Sequence, residues 1–190
     1  MKRLGILLAA MMVCRVVSAQ APSGSRLAGS RAPASKDGAS VDSIVAALYE
    51  SVSHPADAEP NWDRMRELFL PVGMLIPPKR PQDDLFTVLD VDGFQDRARK
   101  GAASQKQKGE APQGFFEREI ARKADRFGNV CQIFSTYESR HTAEDAKPFV
   151  RGINSIQLVN DGRRWWVASV VWDTERADNP IPPAYSPEKK

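Results

Sequence analysis

Arg164-Trp165-Trp166-Val167-Ala168-Ser169-Val170-Val171-Trp172 carries β-branched or aromatic residues at most positions, so it reads as a strand that is apolar on both faces. By simple alternation Trp165, Val167, Ser169, Val171 and Asp173 share one face, and Trp166, Ala168, Val170 and Trp172 share the other. One face is expected to meet helices and the other a further layer or a partner chain; alternation alone leaves open which is which. From Gly114 to Glu175 the same texture continues, broken by turn signals at Phe127-Gly128-Asn129, Ala143-Glu144-Asp145 and Asn160-Asp161-Gly162. Four strands joined in sequence make an antiparallel meander that ends on this segment.

The residues before the meander change period. Ile44, Val45, Leu48, Tyr49 and Val52 recur at helical spacing, with Ser40 or Asp42 available as cap. After Pro60, Asn61 is a good N-cap for a second helix carrying Trp62, Met65, Leu68 and Phe69 on one face and ended by Pro71. Met74-Leu75-Ile76 and Leu85 to Leu89 read as two brief strands. A third helix is expected near Asp90 or Asp92, turning Phe94 and Ala98 inward and fraying through Gly101 to Gly109 into a polar loop.

The termini differ in kind from the middle. Lys2 and Arg3, an apolar run from Leu4 to Val13, and Val17-Ser18-Ala19 before Gln20 form the three zones of a secretory signal. The run is too short for a permanent membrane span, which needs about 20 apolar residues. Val13 before Cys14 does not meet the lipoprotein pattern, so no membrane anchor is expected. The chain thus reads as 1–19 signal peptide, 20–41 disordered linker, 42–177 folded domain and 178–190 proline-rich tail, and as secreted or periplasmic after cleavage near Ala19-Gln20. Removing Lys2, Arg3 and Arg15 takes the formal charge from +3 to zero, which argues against a nucleic-acid surface. Only Cys131 then remains, inside an apolar strand pattern, so the core rather than a disulfide must hold the fold.

Two leading helices, short strands, a third helix and a four-stranded meander form an order of elements that resembles the nuclear transport factor 2-like superfamily, which includes SnoaL-like and ketosteroid isomerase-like proteins. Asn61-Trp62-Asp63-Arg64-Met65-Arg66-Glu67-Leu68-Phe69 resembles its second helix, and Gly162-Arg163-Arg164-Trp165-Trp166-Val167 followed by Trp172 resembles its closing strand. The resemblance spans roughly residues 42 to 176. It implies an α+β fold, a strongly curved antiparallel sheet wrapped as a cone around three N-terminal helices, with an apolar pocket inside. It also implies a homodimer through the outer sheet face. Members include isomerases, polyketide cyclases, dehydratases and transport factors, so fold does not settle activity.

An isomerase or cyclase would need an acid or His as base in the pocket, plus a Tyr or protonated acid to stabilise an enolate. The candidates for the pocket are Tyr49, Asp63, Arg66, Tyr137, Asn154, Trp166, Trp172 and Asp173. Asn154 stands out as a polar residue among Val150, Gly152, Ile156 and Leu158, and if buried it must find hydrogen-bond partners. Asp63 also fits a plainer reading, a carboxylate at the positive end of a helix. Glu117-Arg118-Glu119 and Arg122-Lys123 read as an outer face of alternating charge. His54 and His141 fall in a turn and at a strand end. No HxH, HExxH, CxxC, phosphate loop or GxSxG pattern occurs, so neither a metal nor a cofactor is expected. The reading is an exported domain binding a small apolar or amphipathic molecule, ahead of an enzyme and ahead of a dimeric interaction module with a filled pocket.

Overall fold

The structure is a computed structural model, and it describes residues 36–187. The signal peptide of 1–19 and residues 20–35 of the linker lie outside the described residues. Helix α1 spans Val41–Val52, α2 Trp62–Leu68 and α3 Val91–Gln107; strand β1 spans Phe69–Ile76, β2 Phe116–Phe127, β3 Val130–Arg140, β4 Val150–Asn160 and β5 Trp165–Thr174. Each helix starts on a side-chain cap. Ser40 and Ser43 form a reciprocal capping box, Asn61 Oδ1 accepts from the Arg64 amide at 3.1 Å, and Asp90 Oδ1 accepts from the Gly93 amide at 2.7 Å.

The sheet order is β1-β5-β4-β3-β2. The last four strands form the expected antiparallel meander, while β1 adds a parallel edge beside β5, so the sheet is mixed. Gly128 and Gly162 supply the positive φ angles, 54° and 91°, that two of the hairpin turns require. The inner sheet face packs on α1 and α2 through Ile44, Met65, Leu68, Ile133, Ile156 and Leu158, all at most 1 % exposed. Each such aliphatic side chain stabilises the fold by about 1.5–3 kcal/mol on burial.

Several expectations are corrected here. The strand expected at Met74–Ile76 begins at Phe69 and runs through Pro71, which an edge strand tolerates. The run from Leu85 to Leu89 is not a strand: only Leu89 pairs, with Leu75, while Leu85 and Phe86 are exposed. Helix α3 continues through the expected polar loop to Gln107, and Ala98 is exposed rather than inward. The linker is not wholly unordered, because Lys36–Gly38 forms a short 3-10 turn and Asp37 receives both Arg64 Nε and Nη2 at 2.8 and 3.1 Å. The tail lies across the outer sheet face, where the Tyr185 carbonyl accepts from Thr136 Oγ1 at 2.6 Å and its ring packs 5.3 Å from that of Phe134.

Simple alternation along β5 also fails, for a definite reason. The pairing with β4 slips by one residue at Ala168, between Val167↔Leu158 and Ser169↔Gln157. A slip of one residue exchanges the faces. Val170 and Trp172 therefore line the interior together with buried Trp165 and Val167, and the interior face draws on both of the predicted sets.

Candidate functional site

Between α1, α3 and the inner sheet face lies a cavity of about 120 Å³, lined by Leu48, Tyr49, Val52, Met65, Leu75, Phe94, Phe115, Glu117, Tyr137, Asn154, Val170 and Trp172. Eight of these are hydrocarbon, thioether or indole side chains. The polar remainder, Tyr49, Glu117, Tyr137 and Asn154, gathers where α1 crosses β2, β3 and β4.

Among the described residues Glu117 is the only one in the lining that bears a formal charge, and its position depends on an irregularity in β2. Counting back from the Phe127-Gly128-Asn129 turn would pair it with Arg140, on the outer face. The register slips at Ile120, and Glu117 instead faces Ser139. The outer-face reading of Glu117 and Glu119 is thereby overturned; that of Arg122 falls as well, because on the turn side of the slip it pairs with Ser135 and clamps Glu119. Arg118 and Lys123 do point outward, onto Glu138 and the Tyr185 ring. Ser53 Oγ, just past the end of α1, accepts from the Glu117 amide at 3.0 Å and so ties this end of β2 to the helix.

The hydrogen bonds form a chain whose direction can be deduced. Ser135 Oγ donates to Glu119 Oε1 at 2.5 Å, which uses its only proton. Across the 2.6 Å contact between Tyr49 and Ser135, Tyr49 must therefore be the donor. Its oxygen is left to accept, and Asn154 Nδ2 donates to it at 3.1 Å and to Glu117 Oε1 at 3.4 Å. Ser139 Oγ donates to Glu117 Oε2 at 3.0 Å. Asn154 thus has the internal partners that a buried amide requires.

The electrostatics of the two carboxylates differ. Glu119 is clamped by Arg122, whose Nη2 lies 2.6 Å away and which also reaches Asp42. Burial pushes Glu117 from an ordinary 4.5 up to about 7, against the lowering effect of the Ser139 and Asn154 bonds. Burial likewise raises the Tyr49 and Tyr137 hydroxyls well above their ordinary value, so both stay protonated at neutral pH. Among the described residues the Tyr137 hydroxyl makes no hydrogen bond. Gly152, directly opposite on β4, leaves it room: a methyl group there would sit 2.6 Å from that hydroxyl.

Of the residues singled out from sequence, Tyr49, Tyr137, Asn154 and Trp172 meet at the cavity. The others do not. Asp63 is an exposed partner of Arg66, which also holds Asp92 at 2.7 Å on the surface. Trp166 packs under the Arg164 guanidinium at 4.1 Å and donates from Nε1 to Asp161. Asp173 lies on the outer face in an ion pair with Arg176. Glu117 was missed because the strand pattern around it looks solvated; the useful signal was the row of small polar residues, Ser135 and Ser139, that shares the β3 face of Tyr137. Cys131 is buried and free, and among the described residues no His, Cys, Asp and Glu cluster could hold a metal ion. No helix among them is long and apolar enough to cross a membrane.

No family model and no curated protein matches this chain. Solved structures do. A nuclear transport factor 2-like protein of unknown function from Shewanella baltica is similar at 17 % identity and TM-score 0.43, over 70 % of this chain and 92 % of that one. The β subunit of the benzoate 1,2-dioxygenase of Burkholderia mallei is similar at 13 % identity and TM-score 0.49, over 77 % and 97 %. A protein of unknown function with a cystatin-like fold from Nostoc punctiforme is similar at 11 % identity and TM-score 0.48, over 74 % and 96 %. Two leading helices, an edge strand, a third helix and a four-stranded meander over a largely apolar cavity make this an α+β fold, similar over 70 % of the chain to the nuclear transport factor 2-like protein of Shewanella baltica.

Proposed function

We propose that this chain is a small-molecule-binding domain whose pocket between the helices and the inner sheet face takes one compact, partly apolar ligand and holds its polar end at Glu117 and Asn154. The observation that carries this reading is a carboxyl group with its own hydrogen-bond donors at one end of an otherwise apolar cavity. Such a site combines an apolar body with a few polar groups that fix orientation. Its volume sets the scale of the ligand, since an apolar cavity of about 150 Å³ accepts a molecule the size of benzene. Ligand-observed NMR with a panel of compact molecules tests this: saturation transfer that is lost when Leu48→Trp fills the cavity supports the site, and transfer unchanged in that variant contradicts it.

A second reading is favoured by one specific observation. A carboxyl group that titrates near 7, beside a neutral Tyr137 hydroxyl with no other partner, has the makings of a general base and a hydrogen-bond donor for proton transfer. In that case Glu117 would be the catalytic base. The three zones of residues 1–19 support export with cleavage near Ala19-Gln20, checked by the N-terminal mass of the protein recovered outside the cytoplasm. A second copy is proposed to dock on the outer sheet face, where Val171 is 40 % exposed, and light scattering on the purified chain reads its mass.

A further inference from the structure

Glu117 has donors around it but no counter-charge. Ser139 Oγ and Asn154 Nδ2 both donate to its carboxyl oxygens, and donors favour the ionised form. The Ser139 hydroxyl can also accept from the neutral acid, so its contact serves either state, whereas the Asn154 amide N–H can only donate. Among the described residues no Lys or Arg lines the cavity. The other titratable groups in the lining are Tyr49 from α1 and Tyr137 from β3, both held neutral by burial; α3, β1 and β5 contribute Phe94, Leu75, Val170 and Trp172. Nearby charges are already engaged. Glu119 is paired with Arg122, Asp173 with Arg176, and His54, stacked on Phe115, gives its Nδ1 proton to the Pro55 carbonyl at 2.9 Å.

The walls suit a positive charge. Tyr49, Phe94, Phe115, Tyr137 and Trp172 supply five aromatic rings to a cavity of about 120 Å³, and aromatic faces attract cations. From a carboxyl group met by donors, left without a cation and bordered by aromatic rings, we infer that the ligand is a compact organic cation of the alkylammonium class. Its charge completes Glu117 and its alkyl part fills the apolar remainder. This rests on the cavity being a ligand site, as proposed above.

Three molecules of nearly the same shape separate the possibilities: tert-butylammonium, tert-butanol and pivalate, titrated calorimetrically into the purified chain and into Glu117→Gln. At about pH 8.5 the ammonium is expected to bind the unmodified chain roughly ten- to a hundred-fold tighter than the alcohol, with pivalate weakest. The preference shrinks at about pH 5.5, where Glu117 is protonated while the alkylammonium, titrating like Lys near 10.4, keeps its charge. The Gln variant should lose it at both pH values; if that variant does not fold, the pH comparison on the unmodified chain carries the same test. Alcohol binding as tight as the ammonium at the higher pH overturns the cation and leaves the cavity as a ligand site. Absence of binding by all three overturns both.

Discussion

Glu117 and Glu119 lie two residues apart on one strand and face the same interior, yet they are in opposite electrostatic conditions. Glu119 has a guanidinium within 2.6 Å and a serine hydroxyl at 2.5 Å; Glu117 has two neutral donors and a cavity. The first is a structural carboxylate whose charge the fold neutralises. The second is a carboxyl group whose charge the fold leaves open, and that difference separates scaffold from candidate site.

The largest effect should come from uncoupling Glu119. Arg122→Ala leaves a carboxylate that is only 21 % exposed without its partner and also frees Asp42, so a loss of about 2–3 kcal/mol is expected in urea denaturation. Near-zero loss would mean that the two carboxylates differ less than their surroundings suggest. Comparable in size is the pH dependence contributed by Glu117. Because its folded pKa lies above the unfolded 4.5, its stabilising contribution is complete below about 4.5 and is lost as pH rises through about 7. Glu117→Gln should therefore remove a decline of roughly 3 kcal/mol between those limits, read as the change in urea midpoint with pH. A variant whose profile matches the unmodified chain would count against the burial of this group.

Tyr49→Phe cuts the chain that joins the two carboxylates. Ser135 keeps Glu119, but Asn154 loses an acceptor, and about 1–2 kcal/mol should go with it. The smallest effect is expected from Arg118→Ala on the same strand, whose side chain is 68 % exposed and whose ion pair with Glu138 is screened by solvent, within about 0.5 kcal/mol of neutral. A larger loss there would blur the contrast between the two faces of β2.

Much of the fold was legible in local chemistry. Caps at Ser40, Asn61 and Asp90, the apolar stripe from Ile44 to Val52, and the glycine-bearing turns at Gly128 and Gly162 mark elements that the structure contains. The part of the site that could be read comprised residues out of keeping with their faces, above all Asn154. What could not be read follows from two one-residue register slips. Ile120 turns Glu117 and Glu119 inward, and Ala168 divides the interior of β5 between the two alternation sets. Period-two reasoning has no signal for an extra residue, because a slip is chosen by packing across strands rather than by the local sequence. The extension of α3 through Ala102-Ala103-Ser104-Gln105 was missed for a different reason: a polar, exposed helix has no apolar stripe to announce it.

The central claim is that Glu117 is a carboxyl group held in a largely apolar cavity without a counter-charge. Its most direct test is a carbon-13 NMR titration of the glutamate side-chain carboxyls in the full chain, with Glu117→Gln identifying the resonance. The account predicts that Glu117 titrates near 7, in a resonance that vanishes in the variant; Glu117 titrating at the ordinary 4.5 would contradict it.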